Sequence, residues 1–435
     1  MRHGILLGAA FALLGLGLDA QGTSAPEPGA PGGSGLALRA QKILVCSWDG
    51  PQVVDEGILL VRDGKIEDVG RARELAVPAG YQVLDVGERW LAPGFVELHC
   101  HEAGESLFSV NDLNDLVYLA NPEMRASASV EPGNHSLQMG LAGGVTTVLY
   151  IPGSGSNIGG QGILLKTAFD TYEEKLVRNP GSMKLAQWGN PEAWAMGVGM
   201  AFENWNTRDT LRRGIEYAKR WEAHERGQGP EPERDLMFDV FRDLRKNEIA
   251  ISTHTQVYQV VLMTLTMVHG EFGLPVFLDH SEIGGWLAAP IAEKMGVAAI
   301  VGPRSIDTPT RGFISWARNK HEGFRGLAAG WQELGETQIG FNTDSPIVPE
   351  EELHVQAAMG VHYGFVDDEL QTLRGLTIIP ARTARIDARV GSLERGKDAD
   401  VLVVDGHPID PRTTVWTVFV NGKRVYDAGR DGRRW

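Results

Sequence analysis

The sequence predicts an α/β protein, a closed (β/α)8 TIM-like barrel joined to a small composite β-sandwich formed by both chain ends. Two patterns lead to that architecture. Through the middle of the chain, eight short apolar segments alternate with helix-like or irregular stretches, as in a parallel sheet wrapped by helices. At both ends, strand-like runs are punctuated by turn dipeptides, and neither end has enough apolar sequence for a core of its own. Composition agrees: 435 residues, 43% hydrophobic and 22% charged, exclude a disordered or fibrous chain and leave room for one large domain and one small one.

The first 20 residues read as a signal peptide. Arg2 and His3 precede an uncharged run from Ile5 to Leu18, which is shorter than the ~20 residues that span a bilayer, and Asp19-Ala20 ends it before Gln21. Residues 21–36 form a Pro/Gly/Ser linker with nothing to bury. An exported protein, periplasmic or extracellular, is expected, with no membrane insertion once the leader is removed. Strands follow at 37–46, 57–62 and 65–69, the last two joined by Asp63-Gly64. At the other end, 400–404 and 415–420 are strand-like, and Asn421-Gly422 turns the chain into Lys423-Arg424-Val425-Tyr426. Residues 37–90 and 386–435 are therefore expected to share the sandwich, and 91–385 to form the barrel. The barrel strands are expected at 94–101, 144–151, 162–168, 183–188, 249–255, 275–280, 297–302 and 338–344. The stretch 192–248 is an oversized connection, with helical runs near Thr207–Arg226 and Glu231–Lys246, and part of it is expected to cover the barrel mouth.

Charge narrows the partners. With 41 Lys plus Arg against 56 Asp plus Glu, the net charge is −15, which disfavours nucleic acid and anionic membrane surfaces because both need a basic patch. A small-molecule substrate fits, and a homo-oligomer is compatible with it. Cys46 and Cys100 are too few for a disulfide framework.

The chemistry-bearing residues fall at the C-terminal ends of apolar strands, where a (β/α)8 barrel keeps its active site. His99 and His101 close the first strand, and their i, i+2 spacing points both imidazoles to one face. His254 ends the fifth, His280 the sixth and Asp344 the eighth. A single histidine of this kind is usually a hydrogen-bonded core or surface residue. Four histidines and a carboxylate, distributed over four strand ends, suit a divalent ion such as Zn²⁺. The Gly153–Gly162 segment lacks the Gly-Lys-Ser/Thr ending of a P-loop and is expected to be a flexible loop at the mouth. Substrate contacts are expected from that loop and its surroundings, namely Gln161, Trp188 and Gln256; Trp194, Trp205 and Tyr258 cluster nearby as aromatic walls or core.

The segment Leu91-Ala92-Pro93-Gly94-Phe95-Val96-Glu97-Leu98-His99-Cys100-His101 resembles the Pro-Gly-Phe-Ile-Asp-x-His-x-His strand of the amidohydrolase superfamily. Gly144-Val145-Thr146-Thr147, Leu278-Asp279-His280, Asn342-Thr343-Asp344-Ser345-Pro346 and Gly391 to Asp400 resemble further superfamily segments in the same order. Pro152 to Gly162 is most similar to the imidazolonepropionase-related group, which includes exported members and some prolidases. The resemblance implies one or two bound metal ions and hydrolysis of an amide, dipeptide or cyclic amide bond. It also implies roles: His99, His101 and His254 as ligands, Asp344 as ligand and general base, and His280 as ligand of a second ion or as the residue that orients water or polarises the carbonyl. Two-ion members need a bridging acid, often a carboxylated lysine; Lys166 at a strand end is the better placed candidate and Lys184 the other. The chain departs from the pattern at Glu97, where the superfamily usually has Asp, and at Thr255-Gln256, where relatives often have another histidine. A deaminase would use the same ligand set, and a secreted binding protein on the same barrel would not need it. A structural zinc site is disfavoured because such sites are usually closed by four ligands and rich in Cys.

Overall fold

The structure is a computed structural model and describes residues 35–104, 114, 118–187, 199–307 and 325–434. The expected signal peptide, nearly all of the linker, Trp188 and Trp194 lie outside the described residues. Among those described, no helix is long and apolar enough to cross a membrane.

Both ends of the chain enter one eight-stranded sheet. From the N-terminal side come β1 (Leu36–Leu44), β2 (Val53–Arg62), β3 (Lys65–Arg71), β4 (Gln82–Asp85) and β5 (Trp90–Pro93). The order is β18-β17-β16-β5-β1-β2-β3, with β4 beside β1, where β16 is Val401–Val404, β17 is Val415–Val420 and β18 is Lys423–Asp427. β5 is the splice: it pairs parallel with β1 on one side and antiparallel with β16 on the other. The period-2 alternation of these strands sorts their side chains. Leu38, Leu59, Ile66, Leu91, Val401 and Phe419, from six strands, share one buried core, so the sheet wraps around it. The alternate residues Leu402, Val404, Val418 and Val420 join the large core of the barrel instead. The expected sandwich thus takes the form of one continuous, curled sheet whose other face is cemented to the barrel. The short strands β4 and β5 had no clear apolar signature in the sequence.

Gly94 carries the chain from this sheet into the barrel. A Cβ there would lie 2.1 Å from Thr146 Oγ1, so only glycine permits the crossing. The barrel sheet contains β6 (Phe95–Cys100), β7 (Val145–Tyr150), β8 (Ile158–Lys166), β9 (Leu176–Ala186), β10 (Ala250–Thr255), β11 (Val276–His280), β12 (Ala299–Val301) and β15 (Ile339–Phe341); β13 (Ile306–Asp307) and β14 (Arg325–Gly326) form a separate two-stranded ladder. All eight expected segments appear as barrel strands, with one reversal. β8 is antiparallel to both β7 and β9, while the remaining neighbours pair parallel. The reason is connection length: only residues 151–157 separate β7 from β8, enough for a turn but too few for the crossover of a dozen or more residues that a parallel neighbour requires. The order runs from β6 to β15, and the two edge strands meet at a Cys100–Ser345 bridge, so the barrel is nearly closed.

The long connection after β9 contains the helix Met200–Glu225, which buries Thr207, Thr210, Leu211, Gly214, Ile215 and Ala218 at helical spacing. Thr207 and Asn206 hydrogen-bond to Asn157, and Asn157 donates to Ala186 O at 2.7 Å, so this helix begins against the mouth end of β9. The second expected helix is much shorter than the sequence suggested, spanning Val240–Arg245.

Candidate metal centre

Parallel strands deliver their C-terminal ends to one rim of the barrel. There the structure gathers His99 from β6, His101 one residue beyond it, His254 from β10, His280 at the end of β11 and Asp344 just after β15. The four imidazoles are buried, and the Asp344 side chain is 19% exposed. His280 and Asp344 both occupy left-handed backbone, at φ of 64° and 50°, a conformation that costs a non-glycine residue energy and is held here by the surrounding rim.

The ligand atoms converge. Asp344 Oδ1 lies 3.3 Å from His99 Nε2 and 3.3 Å from His101 Nε2. The imidazole centroids of His99 and His280 are 4.4 Å apart, and those of His254 and His280 are 4.6 Å apart. One ligand atom each from His99, His280 and Asp344 fits within a 4.8 Å span. Neighbouring groups orient the rings. His101 Nδ1 donates to Ile151 O and His280 Nδ1 donates to Gly302 O, both at 2.9 Å, which directs each Nε2 lone pair into the site. His99 Nδ1 lies 3.1 Å from Asp279 Oδ2, which places a carboxyl group behind that ring.

Electrostatics point the same way. Burial, reinforced by Lys184 and His280, holds His99 well below the usual imidazole range. Burial, with His280 and Lys184, does the same to His254, and burial lowers His280 to about 4. These rings are neutral near pH 7 and offer lone pairs. Burial would raise the Asp344 carboxyl, but the adjoining His280, His101 and His99 hold it well below the usual range, so it is ionised. The Nε2 atoms of His254 and His280 are buried without a hydrogen-bond partner, an arrangement costing about 1–3 kcal/mol per group unless something accepts the lone pair. Neutral imidazoles around one carboxylate fit a divalent cation.

The bridging expectation for Lys166 is corrected. Because β8 runs opposite to its neighbours, its C-terminal residue emerges at the far end of the barrel. There Lys166 Nζ pairs with Asp400 at 2.5 Å and Asp398 at 3.1 Å, locking the barrel to the composite sheet. Lys184 on β9 is the lysine at the centre: it is fully buried, with Nζ 3.2 Å from His99 Nε2. The Gly153–Gly162 segment also departs from expectation, since it is buried throughout and folds as a turn and the start of β8 rather than a flexible loop. Gln161 lies on β8 with its amide donating to Pro122 O at 2.9 Å, which commits that donor to the rim loop. Gln256 follows His254-Thr255 at the rim, partly exposed. Trp205 is 58% exposed and Tyr258 packs on the barrel core. Glu97 and Asp279 were given no role on sequence grounds; their place inside the repeated strand motifs was the available signal.

Comparison with known proteins adds independent support. Residues 317–425 match the Amidohydrolase family. Amidohydrolase tasK of Hapsidospora irregularis is 25% identical over 411 residues, which cover 87% of this chain and 40% of that protein, so the chain spans about two-fifths of that relative's length. An amidohydrolase structure from Thermotoga maritima MSB8 superimposes with a TM-score of 0.77 at 26% identity, over 90% of this chain and 100% of the other. A putative prolidase from Bifidobacterium longum shares the fold, with a TM-score of 0.53 at 18% identity over 90% of this chain and 95% of the other. The family match, the relative and the shared fold together support an amidohydrolase enzyme.

Proposed function

We propose that this protein is a metal-dependent hydrolase that cleaves a C–N bond in a small amide, a dipeptide or a cyclic amide, using water. The observation that carries the reading is the convergence of His101 and of neutral His99, His254 and His280 on ionised Asp344 at one rim. These five residues would hold one or two divalent ions, Zn²⁺ being the best match to a His-dominated set. Lys184 takes over from Lys166 as the residue that would bridge a second ion. A bound ion supplies Lewis acidity, lowering the pKa of water to about 7 and polarising a carbonyl. Asp344, ionised and directed at the same space, accepts the proton of the attacking water and returns it to the leaving amine. In a one-ion site, His280 orients that water or the substrate carbonyl, its ring fixed by Gly302 O.

The finer parts of the reading rest on sequence. The Pro152–Gly162 segment supports the imidazolonepropionase-related group, and Gln161, Trp188 and Gln256 are offered as substrate contacts. Residues 1–20 are offered as an export leader and 21–36 as a linker, ahead of a composite sandwich (37–90 with 386–435) and a hydrolase barrel (91–385). Intact Met1 in mature protein from its native host would overturn export. The central test is elemental analysis of metal-replete protein and of His99→Ala, followed by assay on amides, dipeptides and cyclic amides. About one or two ions per chain, lost in the variant, with release of amine from one class, supports the reading. A chain that binds no ion overturns it.

A further inference from the structure

The first and last strands of the barrel sheet, β6 and β15, form its seam. Beside the Cys100–Ser345 bridge, a His101 N–H bond to Ser345 O at 3.0 Å and the Ser345 hydroxyl donating to Glu102, the seam is crossed by the Glu97 carboxylate. Its Oε1 accepts the His99 N–H at 2.8 Å. Its Oε2 accepts the Thr343 N–H at 2.8 Å and the Thr343 hydroxyl at 3.0 Å. Thr343 precedes Asp344, and its hydroxyl oxygen also accepts the Ser345 N–H at 3.2 Å, so both flanks of Asp344 are tied to the same carboxylate. Asp344 needs such ties because its backbone is left-handed, at φ 50°.

We propose that Glu97 is a positioning residue that sets the spacing of His99 and Asp344 across the seam, and through it the affinity and coordination of the bound ion. This rests on the metal reading above. All three groups facing the carboxylate are donors, so a glutamine must turn an N–H against one of them. An aspartate is one methylene too short to keep both oxygens engaged. Glu97 acts through backbone: through the N–H of His99 itself and through that of Thr343, the residue before Asp344.

The test titrates the metal-free, full-length protein with Co²⁺ and follows the visible bands, with a competing chelator to fix Kd. Glu97→Gln and Glu97→Asp are expected to weaken Co²⁺ about 10–100-fold and to shift the bands, the usual scale for groups that orient metal ligands. Thr343→Val, which removes only the hydroxyl contacts, is expected to weaken it a few-fold while melting, metal-free, near the wild-type temperature. Wild-type Kd and spectrum in Glu97→Gln overturn the proposal, whatever its melting temperature. If neither Glu97 variant folds, wild-type Kd and spectrum in Thr343→Val overturn it instead. A wild-type protein that takes up no Co²⁺ overturns the metal reading and this inference with it, whereas the other outcomes leave that reading standing.

Discussion

Asp344, the proposed base, has an unusual setting: buried enough that its charge should be costly, yet surrounded by imidazoles that hold it ionised. Asp344→Asn keeps the shape and removes the proton acceptor, so kcat on any substrate found should fall by about 10²–10⁴-fold, read by steady-state kinetics. A variant with wild-type kcat would remove Asp344 from the mechanism. Glu336 is a second displaced acid, far from that role. It is 2% exposed, its Oε1 accepts the Gln338 N–H at 3.0 Å, and its Oε2 has no partner. Burial pushes its carboxyl from 4.5 up to about 8. Between those values the folded state holds a proton that the unfolded state has lost, so stability falls as pH rises through this window. Glu336→Gln escapes that loss and should exceed the wild type by roughly a few kcal/mol above pH 8, with the difference vanishing below about pH 4.5. Denaturant unfolding at the two pH values checks this. The candidate ligand residues were legible because chemistry needs particular side chains at strand ends; Glu97 acts through hydrogen bonds to the backbone of other residues, and Asp279 through its approach to His99, partners that the strand motifs containing them do not name.

At the scale of elements, β8 decides which lysine reaches the candidate metal centre. Its reversal sends Lys166 to the sheet interface and leaves Lys184, on the upward strand β9, beside His99. Lys166→Met should therefore leave metal content unchanged but destabilise the fold by about 3–5 kcal/mol, because Asp400 and Asp398 lose a buried counterion. Arg389 and Lys65 still reach Asp398, so the penalty concentrates on Asp400. Lys184→Met should do the reverse and lower the ions bound per chain. Elemental analysis with a denaturant melt on both variants separates the roles. The eight barrel strands were readable from their apolar runs, but a run has no direction; the short 151–157 connection was the clue that β8 turns back.

At the scale of the whole molecule, sheet and barrel share side chains and should unfold together. Leu402 is fully buried in the barrel core although it belongs to the C-terminal part of the sheet. Leu402→Ala should cost about 2–5 kcal/mol and shift a single transition, seen alike by calorimetry and tryptophan fluorescence. Two separated transitions would show the sheet to be an independent unit.

The barrel's strands, the joining of both ends and the candidate ligands His99, His101, His254, His280 and Asp344 were all contained in the sequence, because alternation, turn dipeptides and strand-end chemistry are local properties. Tertiary structure alone decided the direction of β8, the exchange of Lys166 for Lys184, the single curled sheet in place of a two-layered one, and the seam held by Glu97. Each of those depends on which residues meet across large sequence separations, and hydrophobic pattern sets what is buried without setting which buried group faces which.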